Sequence, residues 1–70
     1  MSESVYRVTE LVETSIESWE EAAQVAIETA ASSLRDLRIA EVVRLDLTVE
    51  DGKVAGFRTR LNVSFKYESE

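Results

Sequence analysis

The sequence predicts an α+β fold: a single βαββ domain over residues 1–70, with a three-stranded antiparallel sheet in the order 2-3-1 wrapped on one long helix. Three observations predict it. The run VYRVTELVE is rich in β-branched residues, an apolar stripe recurs at helical spacing from Ile16 to Leu34, and two alternating runs meet at EDGK.

Val5 to Glu13 alternates roughly between apolar and polar residues and reads as the first strand. Ser15 is a natural N-cap for a helix starting at Ile16, with Thr14 and Glu17 forming a capping box one residue earlier. Glu17, Glu20 and Glu21 suit the positive end of that helix. Ile16, Trp19, Ala22, Ala23, Ala26, Ile27, Ala30 and Leu34 then recur at steps of three and four, one apolar face on a helix ending near Leu34. The alanines let a sheet approach closely.

From Ile39 the period changes to two. Val43, Leu45, Leu47 and Val49 point one way, and Arg44, Asp46, Thr48 and Glu50 the other. Asp51-Gly52 between two alternating runs specifies a two-residue hairpin of type I′. The third strand carries Phe57, Leu61, Val63, Phe65 and Tyr67 on one face and Arg58, Arg60, Asn62, Ser64 and Lys66 on the other, with Gly56 marking a bulge or bend. The helix reverses the chain direction, so strands one and two run parallel and the third, antiparallel to both, takes the middle. Both edge strands stay open, which is a liability unless partners cover them.

Composition narrows the chemistry. A lone chain of 70 residues hides only about 60% of its unfolded surface, and such chains are usually stapled by disulfides, metal or self-association. The absence of Cys removes disulfides and thiolate sites, and the absence of His removes the commonest transition-metal ligand and general base. Self-association, or a hard cation held by oxygen, is left. Fourteen acidic against eight basic residues give a net charge of −6, which argues against nucleic acid. No apolar run approaches the ~20 residues that span a bilayer, and MSESVYR lacks a signal-peptide core, so the chain reads as cytoplasmic with no membrane partner. Ser/His and Cys/His nucleophile pairs are impossible here, and Glu20 and Glu21 lie on a helix flank, so no enzyme is read.

Within this frame the chain resembles the dodecin family. The resemblance is carried by VYRVTELVETSIESWEEAAQVAIETAASSLRDL, then AEVV, VEDGKV and VSFKYE, over residues 5 to 68. It implies a hollow homo-oligomer of twelve chains that binds riboflavin-type ligands in pairs between subunits, for storage or protection and not for turnover. Aligned through AEVV and VEDGKV, the family's flavin-stacking Trp falls at Ile39 and its hydrogen-bonding Gln at Arg58. An Ile has no flat π-face, and stacking is worth ~1 kcal/mol beyond area burial. Where flavin-binding bacterial members carry an Arg in the second strand, this chain has Asp46. Asp46, Arg58 and the aliphatic residue together resemble a branch described as calcium-binding.

Hard cations take about six to eight oxygen ligands. Asp46 alone cannot supply them, whereas symmetry can, by gathering copies of one carboxylate or by setting Asp46 beside Glu41, Glu50 or Asp51 of a neighbour. The metal candidates are therefore Asp46, Glu41 and Glu50, and the flavin-equivalent positions are Ile39 and Arg58. Plainer readings stand beside them. Asp46 can pair with Arg58 or Arg60, Asp51 before Gly52 is turn chemistry, Arg58 can wall a pocket or grip an anion, and Trp19 is a core anchor. Three functions stay open: a shell holding calcium at subunit contacts, a purely structural assembly, and a flavin-binding shell with a weakened pocket.

Overall fold

A computed structural model describes residues 5–66. Its elements follow the expected order: β1 (Tyr6–Ser15), α1 (Trp19–Ala31), β2 (Leu37–Glu50) and β3 (Lys53–Lys66). β3 lies between β1 and β2 and is antiparallel to both. Tyr67, read onto the apolar face of the third strand, lies outside the described residues.

The hairpin joining β2 and β3 is built as the Asp-Gly pair demands. Asp51 and Gly52 have φ of 52° and 75°, both left-handed, as a type I′ turn needs. Near its base, Gly56 stands opposite Thr48, beside a register shift between Thr48 and Val49. A Cβ there would lie 2.8 Å from Thr48 Oγ1 and 2.9 Å from Thr14 Cγ2, so any larger residue would have to push both threonine side chains aside.

The helix starts later than the capping pattern suggested. Ser15 stays in the β1 ladder opposite Phe57, and the N-cap is Ser18, whose hydroxyl accepts from the Glu21 amide at 3.0 Å. Ser15 instead organises the connection. Its Oγ accepts from the amides of Glu17 (2.8 Å) and Ser18 (3.3 Å) and donates to Glu21 Oε1 at 2.6 Å. Ile16 therefore falls outside the helix and is 80% exposed, not part of the apolar stripe. At the other end the amides of Ser33 and Leu34 converge on the Ala30 carbonyl while Ser32 Oγ donates to Thr29 O, closing the helix at Ala31. Serine hydroxyls offer the backbone alternatives to the helical ladder, which is why this stop precedes Leu34.

Ala22, Ala26 and Ala30 form the buried ridge of α1, and they lie against the centre of the sheet, where Thr59, Leu61 and Val63 of β3 are buried. The Thr59 hydroxyl donates to the Trp19 carbonyl at 2.9 Å, and the Trp19 ring meets Phe57 edge-on, centroids 5.2 Å apart at 81°.

A helix of 13 residues is about 20 Å long, whereas strands of 14 residues reach about 46 Å. The helix cannot cover the hairpin. The chain measures 55 × 20 × 14 Å, and its radius of gyration is 14.6 Å, against about 11 Å expected for a compact chain of this length.

Candidate functional site

From Phe57 onward the odd-numbered residues of β3 face the helix, so Arg58, Arg60, Asn62 and Ser64 face away from it. Residues directly paired across strands share a face. Ile39 is paired with Ser64, Glu41 with Asn62, Arg44 with Arg60 and Asp46 with Arg58, so all four β2 residues stand on this open face. A register shift between Val42 and Arg44 makes Val43 the irregular residue and returns Val42, opposite Leu61, to the helix side. The expected alternation from Val43 to Val49 therefore holds only from Arg44 onward.

At the centre of the open face, Asp46 and Arg58 form a bidentate pair. Arg58 Nε donates to Oδ1 and its Nη2 to Oδ2, each at 2.8 Å, with 34% of the Asp46 side chain and 41% of the Arg58 side chain exposed. This is the planar fork geometry that arginine offers and lysine does not. The hydrogen bonds from Arg58 hold the Asp46 carboxyl below its ordinary range, partial desolvation opposes them, and the charges of Arg58, Arg60 and Arg44 add to the lowering. Reciprocally, Asp46 raises the pKa of Arg58. Arg60 reaches Glu10 on β1 at 3.5 Å.

Trp19 contributes from the opposite side of the sheet. Its indole N–H donates to the Asp46 backbone carbonyl at 3.0 Å, so the strand is pinned where its carboxylate emerges. No signal in the sequence announces a bond between residues so far apart; the spacing showed only that Trp19 belongs to the helix stripe.

The remaining candidates are not brought together within one chain. Counted along β2, Glu41 is about 15 Å and Glu50 about 13 Å from Asp46, and both are exposed. Glu50 closes the hairpin opposite Lys53. Among the described residues no group of three acidic side chains is placed to hold a metal ion. An ionised, partly exposed carboxylate has the donor chemistry a hard cation needs, but the number of donors in one chain does not suffice. The flavin-equivalent positions are similarly separated. Ile39 lies beside Ser64, about 20 Å along β3 from Arg58, so one flavin could meet both only by lying between copies.

The family model for dodecin matches residues 5–68. The calcium dodecin of Mycobacterium tuberculosis is 41% identical over 63 residues, covering 90% of this chain and 89% of that one. Among solved structures, the dodecin of Streptomyces coelicolor superposes with a TM-score of 0.91 at 37% identity, over the full length of both chains. The M. tuberculosis calcium dodecin, described as a calcium-chelating immunodominant antigen with a calcium-binding site, gives a TM-score of 0.82 at 41% identity, covering 96% of each chain. With the βαββ order, the strand arrangement and nearly the whole length in agreement, the chain belongs to the dodecin family.

Proposed function

We propose that this chain forms one domain whose copies assemble into a dodecin-type shell of twelve subunits, and that the shell binds a divalent cation, calcium foremost, where copies meet. The observation that carries the reading is Asp46, an ionised carboxylate ordered on the open face of the sheet. Its position belongs to an aligned set that lacks the aromatic needed for flavin, and the one relative named calcium dodecin, from M. tuberculosis, supports the cation. Glu41 and Glu50 are the further ligands, contributed by neighbouring copies. The role is storage or buffering without turnover, and no helix of the described residues is long and apolar enough to cross a membrane, which accords with a cytoplasmic protein.

A second reading is favoured by the Asp46–Arg58 pair itself: a structural assembly whose carboxylates are neutralised by arginine and hold nothing. Native mass spectrometry of the protein purified without chelator separates the two. Twelve-chain particles carrying integral increments of a divalent metal support the cation. Twelve-chain particles without added mass support the structural assembly, and a monomer overturns both. A flavin would declare itself as visible absorbance in the same preparation.

A further inference from the structure

The open face of the sheet carries its charges in rows. Arg44 of β2 and Arg60 of β3 stand directly opposite each other, and Val12 of β1 completes their row. One level towards the hairpin lie Asp46, Arg58 and Thr14; one level the other way lie Glu41, Asn62 and Glu10. Like charges directly opposite on a ladder are destabilising, their Cβ atoms being only about 5 Å apart. A bulge creates this juxtaposition. Ile39 and Glu41 stand on the open face, so strict alternation would put Val43 there and turn Arg44 towards the helix. The register shift between Val42 and Arg44 instead brings Arg44 out opposite Arg60. Bulges that re-aim a side chain in this way recur beside functional sites.

The neighbouring acids do not compensate the pair. Asp46 is held by both its oxygens in the Arg58 fork, at 2.8 Å each. Glu10 meets Arg60 only at 3.5 Å, and 53% of its side chain is exposed. Among the described residues no carboxylate lies within ion-pair distance of Arg44. Arg58, two residues from Arg60, engages Asp46 through Nε and Nη2 and leaves Nη1 outside that pair. The Trp19 indole holds the Asp46 carbonyl from behind, which fixes this wall. Three of the eight basic residues thus share two adjacent rows in a chain whose net charge is −6.

We propose that Arg44 and Arg60, walled by the Asp46–Arg58 pair, form an anion site for a phosphoryl group. Planar guanidinium forks match phosphate oxygens in bidentate fashion. A dianion seated between the two arginines relieves the repulsion that the bulge sets up. Glu10, exposed and loosely held, is the partner it displaces from Arg60. The site does not rest on the cation reading, because it leaves Asp46 bonded to Arg58.

Inorganic phosphate and glycerol phosphate are titrated separately into the assembled protein in phosphate-free buffer at low salt, and binding is followed by phosphorus NMR line width. The expected result is saturable binding by the wild type, weakened at least about tenfold in Arg44→Gln and in Arg60→Gln, the loss of one charged bidentate contact. Arg44→Lys keeps the charge but loses the fork, and is expected to bind severalfold more weakly. Lys53→Gln removes the same charge from the hairpin, about 23 Å along β3 from Arg60, and should leave the affinity within about twofold. Tighter binding of glycerol phosphate supports the site with a phosphomonoester as its ligand; tighter binding of inorganic phosphate supports it with the free ion. No saturable binding of either anion by the wild type overturns the proposal. An equal loss in Lys53→Gln also overturns it, because the effect then lies in net charge. Should neither glutamine variant assemble, Arg44→Lys decides, and unchanged affinity there overturns the proposal.

Discussion

The two halves of this molecule are built to different standards of completeness. Around α1 and the centre of β3, Ala22, Ala26, Ala30, Leu61 and Val63 are buried and Thr59 is hydrogen-bonded. Along β2 and the hairpin, Val42, Leu45, Leu47, Val49 and Val54 are each at least 43% exposed. The strands of both halves alternate apolar and polar residues. They differ because the helix is less than half as long as the hairpin, so the first half finds its cover within the chain and the second does not. Apolar surface left in water forgoes roughly 25 cal/mol per Å², which gives the hairpin half a reason to seek copies of itself.

Substitutions in the two halves should therefore differ in kind. Leu61→Ala removes side-chain volume from the closed half and is expected to cost about 3 kcal/mol, lowering the thermal midpoint at every protein concentration. Leu45→Asp acts on the open half, where the side chain is 49% exposed in the lone chain. It is expected to disrupt assembly, seen as loss of the large species in native mass spectrometry and of the rise in midpoint with concentration. If both substitutions behaved alike, the division into a finished and an unfinished half would be wrong.

Gly56 sits where the halves join. Gly56→Ala must push aside Thr48 and Thr14, whose nearest atoms would lie under 3.0 Å from the new methyl. The expected loss is about 1–3 kcal/mol, read by chemical denaturation. A stability equal to wild type would show that the threonines can rotate away and that the three strands are not held together tightly at this level.

A smaller effect is expected from restoring the family's aromatic pattern. Ile39→Trp with Arg58→Gln should raise riboflavin affinity at least tenfold, measured by quenching of flavin fluorescence. An unchanged affinity would mean that neighbouring copies close the space in front of Ile39, or that these two positions do not face one ligand.

How far each of these features was legible in the sequence depends on the range of the forces that fix it. The hairpin was legible because Asp51-Gly52 decides it locally, and the sheet order followed from the helix, which sets the first two strands parallel and leaves the third between them. The helix start was not, because three serines and several glutamates compete within Thr14 to Glu21, and pairing with Phe57 decides that Ser15 stays in the strand. The bulge at Val43 was hidden because Val42 and Val43 are both apolar and either satisfies an alternating pattern. For the candidate site, the third strand lying beside the second already suggested an ion pair of Asp46 with Arg58 or Arg60, within or between chains, and the bidentate pair with Arg58 is found within the chain. Within the chain Glu41 and Glu50 lie far along β2 from Asp46, and no pattern in a single chain encodes where copies of it would meet.

The smallest expected effect concerns pH, and it distinguishes the open face from the core. The Asp46 pKa in the folded chain is lowered from its ordinary value of 3.8. A group depressed in the folded state contributes stability that is present above its unfolded pKa and is lost as pH falls through the folded one. The window therefore opens near pH 4 and extends below it; Arg58, its pKa raised further, stays charged throughout. Asp46→Asn should leave stability almost unchanged at pH 7, since a partly exposed pair is screened by solvent. Below pH 4 the variant should lose stability less steeply than the wild type, because one proton-binding group has gone. Denaturant midpoints measured from pH 3 to pH 7 test this directly. Parallel curves for the two proteins would mean that the pair does not persist in solution.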